Sequence, residues 1–324
     1  MRGLIWLTWR QHRWPIAVSA VITAVLVVLM LMTASDLGSM AAKCLTAASR
    51  QDCERSKTQA VPSHASYLMN SVVFLPVLVA VFWGVPLLAR EFEQRTLPLA
   101  WSQDVSRLKW LAGKTAVMLV LVAAMGTALA AASIHLAHQY HAYTGESLFE
   151  GTQFQAGGWM PLTLGLAWLA VGIAAGAATR RVLVAIATVG ALWIVRMVGM
   201  VWLRPRFMTP MTLTKTFAVG KDGAGPPAFT NSNDMGINNG NVPFLDSHGG
   251  THSPQQVMDG WCGSADDMNA CLHQHGIIGT LDKFQPAHRM GTFHLIENGM
   301  NLGLFVIALI VAWWCVKKAR TTVG

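Results

Sequence analysis

Six runs of apolar residues, each long enough to cross a lipid bilayer, constrain the fold of this chain more than any other feature. A hydrocarbon core about 30 Å thick takes roughly 20 consecutive apolar residues per helix, because every backbone amide inside it must be satisfied within the span. Residues 15–34, 65–89, 115–137 and 157–179 contain no Asp, Glu, Lys or Arg; 182–203 contains only Arg196, and 298–316 contains none. Only 12% of the residues are charged and 53% are hydrophobic, where an ordinary soluble domain has roughly a quarter charged. The fold class expected is an all-α integral membrane protein with six transmembrane helices.

The rest of the chain divides around those spans. Residues 1–14 carry Trp6, Trp9 and Trp14 among Arg2, Arg10 and Arg13, a pattern suited to a retained amphipathic helix at the headgroup level or to an ordinary cytoplasmic flank. Residues 15–203 hold spans one to five, with a polar loop at 90–114. A long loop, 204–297, separates them from span six and the tail at 298–324.

Charge sets the orientation. The short segments on one side hold 13 cations, from Arg2 through the 90–114 loop and Arg180–Arg181 to Arg320. The opposite side has Lys43, Arg50, Arg55 and Lys57 in its first loop and none in its second, and its third loop is too long to weigh. Both termini are therefore placed in the cytoplasm, with the chain in the plasma membrane and the long loop an extracellular domain. The net charge of +8 is then explained by the inner segments, and no nucleic acid is needed.

Cysteine usage agrees with that orientation. Cys44 and Cys53 fall in the first outer loop and Cys262 and Cys271 in the long one, all on the oxidising side, where disulfides persist. The expected bonds are Cys44–Cys53 and Cys262–Cys271, although four cysteines allow three pairings. Free thiols or a metal site are the alternatives. The histidines of the long loop, and His135, His138 and His141 beyond span three, lack the flanking ligands of a zinc motif. No metal site is expected.

Arg196 is the only formal charge inside a span. Such a charge is costly in lipid and calls for a partner or a wet cavity. Glu297, at the edge of span six, is the expected partner, with snorkelling to the outer headgroups as the alternative. Small residues mark where helices can approach closely: Ala123, Ala124, Gly126, Ala128 and Ala130 in span three, and Gly172 and Gly176 in span four. Sequence leaves open whether these faces belong to the chain's own bundle or to a dimer seam.

The 90–114 loop carries the most information. Arg90, Glu91, Glu93 and Arg95 precede an apolar knob at Leu97, Leu99 and Trp101; Pro98 breaks the helix, and Arg107, Lys109 and Lys114 lead back to lipid. A hydrophobic knob rimmed with charge suits docking of a cytosolic protein. The Ala89-Arg90-Glu91, Glu93, Thr96, Leu99-Ala100-Trp101, Gln103, Val105-Ser106-Arg107 and Trp110-Leu111 positions, with Trp9-Arg10-Gln11-His12-Arg13 at the amino terminus, resemble type 2 ATP-binding-cassette (ABC) exporter permeases. The likeness is to the group common in high-GC Gram-positive bacteria. Arg95 stands where many members have Gly, and the long outer loop lies outside the resemblance.

That resemblance implies two permease subunits, as a homodimer or with a close paralogue, and two cytosolic ABC ATPase subunits that bind ATP and Mg. It assigns ATPase docking to Arg90, Glu91, Glu93, Arg95, Thr96, Leu99, Trp101, Gln103 and Arg107. The chain itself has no phosphate loop, since Gly113-Lys114-Thr115 lacks a glycine at Leu108. It is expected to be no enzyme and to hold no cofactor, with no catalytic residue. The expected function is export of a hydrophobic or amphipathic molecule such as a drug, an antibiotic or a lipid-like compound, driven by the partner's ATP hydrolysis. A membrane receptor or assembly protein with an extracellular sensing domain is the alternative.

Overall fold

The computed structural model describes residues 2–46, 60–94, 107–149, 151–216, 234–237, 241–263, 265 and 267–318, with the side chains of 2–12, 44–46, 107, 108 and 269 outside the description. It divides into two compact units, residues 1–200 with 294–324, and residues 201–293.

The first unit is helical. Helix α1 (Arg2–Thr46) runs unbroken through Pro15, so residues 2–14 are continuous with the first span rather than a separate helix. Next come α2 (Ala60–Val79), a π-helical turn at Ala80–Gly84 and α3 (Val85–Glu93), together one long rod. Pro86 lacks the N–H that would close the preceding turn, which accounts for the widened turn just before it. Then follow α4 (Arg107–Thr144), the short α5 (Gly151–Ala156), α6 (Met160–Thr179), α7 (Val182–Leu203) and α9 (Met290–Lys318). Six of these rods are long and apolar enough to cross a membrane.

Helix α6 is the axis of this unit, with 16 of its 20 residues buried. Of two apolar clusters in the unit, one includes α6 and is built on Trp83, Trp168 and Leu169, and the other joins α1, α2 and α4 through Met30, Met69 and Leu136. Helix α7 buries Ala185, Val189, Trp193 and Met200; Val182, Ile186 and Met197 pack partly against the core, and its remaining apolar side chains are exposed, as lipid-facing residues are.

The glycines of the small-residue faces make close contacts within the chain, while Ala124 and Ala128 of span three are exposed. A Cβ at Gly84 would lie 2.7 Å from the Leu169 carbonyl, one at Gly176 2.7 Å from the Val85 carbonyl, and one at Gly172 would collide with the Ala80 carbonyl. The π turn and α3 thus lie backbone against backbone on α6. In the same way Gly126 of α4 admits the backbone of Leu162.

The second unit departs from the all-α expectation. Its described residues form five antiparallel strands: β1 (Met211–Thr216), β2 (Met235–Gly236), β3 (Phe244–Asp246), β4 (Thr251–His252) and β5 (Ile277–Gln285). Strand β5 is central, pairing with β1, β2 and β3 in the order β1-β5-β3-β4, with β2 beside β5. Strands of two or three residues leave little periodic signal, while the Gly and Asn turns that separate them are conspicuous. Helix α8 (Met268–Gln274) carries Cys271, bonded to Cys262 with a Cα–Cα distance of 5.8 Å. The disulfide joins Phe244, Val257, Leu272 and Ile277 in a small core.

Candidate functional site

Three consecutive residues at the end of α3 reach three different places in the bundle. Glu91 forms an ion pair with Lys114 of α4, whose side chain is only 2% exposed and also lies over the Trp110 ring. Phe92 receives the Arg180 guanidinium 5.4 Å from its ring centroid. Glu93 Oε1 accepts the Val182 N–H at 2.8 Å, placing a carboxylate at the positive end of α7. The tripeptide therefore ties span two to span three, to the turn after span four and to the start of span five.

The sequence explains why the chain converges here. Pro86 opens α3 and fixes its direction, and the glycines of α6 bring α3 close. Only two residues, Arg180 and Arg181, separate α6 from α7. Arg180 takes the left-handed conformation (φ 56°) while its N–H donates to the Gly176 carbonyl at 3.1 Å. A non-glycine residue in that region carries roughly 1–3 kcal/mol of strain, borne by a residue whose guanidinium packs on Phe92.

Of the residues assigned to ATPase docking, Arg90 is exposed on α3, while Glu91 and Glu93 are engaged within the chain. Arg95, Thr96, Leu99, Trp101 and Gln103 lie outside the described residues, as does the side chain of Arg107, whose backbone opens α4. The expected Cys44–Cys53 bond falls outside the description too, Cys44 being described only as part of α1.

A second polar constellation lies within the spans. Arg196 Nη2 donates to Glu297 Oε1 at 2.8 Å, joining α7 to α9, with the carboxylate side chain 1% exposed and the guanidinium side chain 11%. Nearby in sequence, Asn298 Oδ1 accepts the Thr163 hydroxyl at 2.5 Å, and Asn301 Nδ2 donates to the same hydroxyl at 3.2 Å. His294 Nε2 lies 3.0 Å from the Phe154 carbonyl and its ring stacks on Phe154. Two turns of α9 thus anchor span six to α5, α6 and α7 through polar groups, which are costly to leave unpaired in lipid.

Sequence reasoning missed Phe92, Arg180, Thr163, Asn298 and Asn301. The signal available was Asn at i and i+3 beside Glu297 in an otherwise apolar span, which puts them on one helix face. His135 and His138 are exposed on α4, and His141 Nδ1 lies 2.7 Å from the Glu146 carbonyl. Among the described residues no three His, Cys, Asp or Glu side chains are grouped to hold a metal.

Both arrangements join helices. No curated protein and no solved structure matches the chain. The family described as ABC-2 membrane transporter related matches residues 16–204, more than half of the 324 residues, from the first span through the polar loop and α3 to the end of span five. The chain is a membrane protein and belongs to the ABC-2 membrane transporter-related family.

Proposed function

We propose that this chain is the permease subunit of an ATP-driven exporter of the kind found in high-GC Gram-positive bacteria. Two copies, or one copy and a close paralogue, assemble with two cytosolic ABC ATPases, which bind ATP and Mg. The substrate is hydrophobic or amphipathic. Both termini and the 90–114 loop face the cytoplasm, and the unit at 201–293 faces outward, where its disulfide persists.

The observation that carries this reading is the Glu91-Phe92-Glu93 clasp. A segment that emerges from span two toward the loop with the exporter-like sequence is wired to spans three, four and five. A push on the loop therefore reaches several helices together, as ATP-driven tilting of a bundle requires. Glu91 and Glu93 transmit that push, and the apolar knob at Leu99 and Trp101 meets the ATPase.

The test is a detergent pull-down of the chain co-expressed with a candidate ATPase, following ATP hydrolysis and export. Trp101→Ala is expected to lose copurification. Glu91→Gln is expected to keep it and to lose export. Failure of the wild type to recruit or stimulate any ATPase would overturn the exporter reading and bring forward a receptor or assembly role.

A further inference from the structure

The first unit contains a cleft of about 540 Å³ between α1, α2, α4 and α6, a volume within the range of sites that hold one small molecule. Its floor is closed by Val122, Gly126, Leu129 and Gly165, all buried. Its rim is open: Ile22 is 48% exposed and Phe82 63%. Both rim residues lie within candidate membrane spans, at a depth where bilayer lipid can reach the opening.

The walls select an apolar occupant. Two hydroxyls enter the lining, Ser19 and Thr23; the Ser19 Oγ already accepts the Trp83 indole N–H at 3.2 Å, and Thr23 is 6% exposed. Length is equally restrictive. The lining runs from Trp14 to Thr23 on α1 and from Val72 to Trp83 on the second span, which at 1.5 Å per residue is about 14–16 Å. That is half of a hydrocarbon core about 30 Å thick. The cleft therefore traverses one leaflet and stops.

At the leaflet surface the cleft ends at Trp14, and the exposed Arg13 lies beside it, its guanidinium 5.8 Å from the indole centroid. A cation at headgroup level attracts anionic lipid, and an indole is comfortable there. We infer that this cleft binds one acyl chain of an acidic phospholipid from the leaflet at the amino-terminal end of α1, with its headgroup held at Arg13. The site requires no ATPase, so it stands apart from the exporter reading.

The experiment reconstitutes the full chain in nanodiscs with phosphatidylglycerol or phosphatidylcholine bearing a mid-chain diazirine, and maps adducts by mass spectrometry. Adducts are expected at residues 18–23 and 72–83, with phosphatidylglycerol favoured about fivefold, the factor one near-surface cation contributes. Ile22→Trp and Leu75→Trp fill the cleft from partly exposed positions. They are expected to lower those adducts at least fivefold while adducts on the outer face of α7 stay constant, which shows that the variants remain folded. Arg13→Glu is expected to abolish the phosphatidylglycerol preference and leave the acyl adducts in place. Cleft labelling no denser than on α7, or unmoved by either tryptophan, would overturn the site. Efficient crosslinking of Ile22→Cys between two copies would also overturn it, by showing that a second subunit covers the cleft.

Discussion

Replacing Arg196 by Met leaves the Glu297 carboxylate in the interior without the guanidinium that faces it at 2.8 Å. At an effective dielectric of about 20 the gross attraction at that separation is about 6 kcal/mol, much of it offset by the desolvation of both ions. Removing one member of a buried pair typically costs about 3–5 kcal/mol, whereas replacing both with apolar side chains is near neutral or stabilising. Arg196→Met and Glu297→Met should therefore each be strongly destabilising, and the double variant should recover most of the loss. The expected interaction energy is at least about 2 kcal/mol. The assay is heating in detergent, followed by size-exclusion recovery of the monodisperse protein. At about 2–4 °C per kcal/mol, each single variant lowers the midpoint by roughly 6–20 °C, and the double variant falls within a few degrees of wild type. Additive losses, with the double variant the worst of the three, would refute the compensation and leave Arg196 and Glu297 as independent polar residues.

Three further predictions follow from other sites. Gly172→Ala places a methyl group against the Ala80 carbonyl and should cost about 1–3 kcal/mol; Gly190→Ala, with nothing within 4 Å of its Cβ, should be neutral or stabilising by up to about 1 kcal/mol. The same heating assay reads both. Lys114→Met should keep ATPase copurification within about twofold while reducing export several-fold, comparable to the effect of Glu91→Gln, because both break the same ion pair; loss of copurification would make the pair part of the docking surface. In the β3–β4 hairpin, a hydrogen bond from His252 and the backbone N–H groups of Gly250 and His248 hold the Asp246 carboxyl below its ordinary value. A carboxyl depressed in the folded state stabilises it fully above the unfolded value of about 3.9, and that contribution is lost as pH falls through the folded value. Hydrogen-exchange protection of residues 244–252 in the full chain should therefore hold from pH 6 down to about pH 4 and fall as pH drops further, and Asp246→Asn should flatten that dependence.

Much of the framework could be read from residue order because lipid imposes a one-dimensional rule. A helix must supply its own hydrogen bonds over about 30 Å, so six apolar runs with one charge among them become six rods wherever they pack. A lone Arg in such a run must find a partner, and Glu297 was nearly the only acid beside a neighbouring span. The segment Glu91-Phe92-Glu93 stood out for its charge, but its targets did not. Lys114 and Val182 lie 23 and 89 residues from their partners, and Arg180 meets Phe92 across a similar gap. Nothing local distinguishes an acid that docks a partner from one that caps a helix of its own chain.

The sequence by itself determined the number of spans, the charges they could not tolerate and the cysteines able to pair. Tertiary structure decided which neighbours the small residues admit, because close approach depends on two backbones brought together: Gly172 and Gly176 serve α6 against the π turn and α3 rather than an external seam. It also decided that residues 201–293 fold around a sheet, since pairing nine-residue β5 with six-residue β1 about 65 residues earlier, and with strands of two or three residues, is a non-local choice that no window of sequence contains. The cleft beside Trp14 belongs to the same class. Four helices that are each apolar all round leave a gap or fill it according to their packing, and residue order carries only the apolarity.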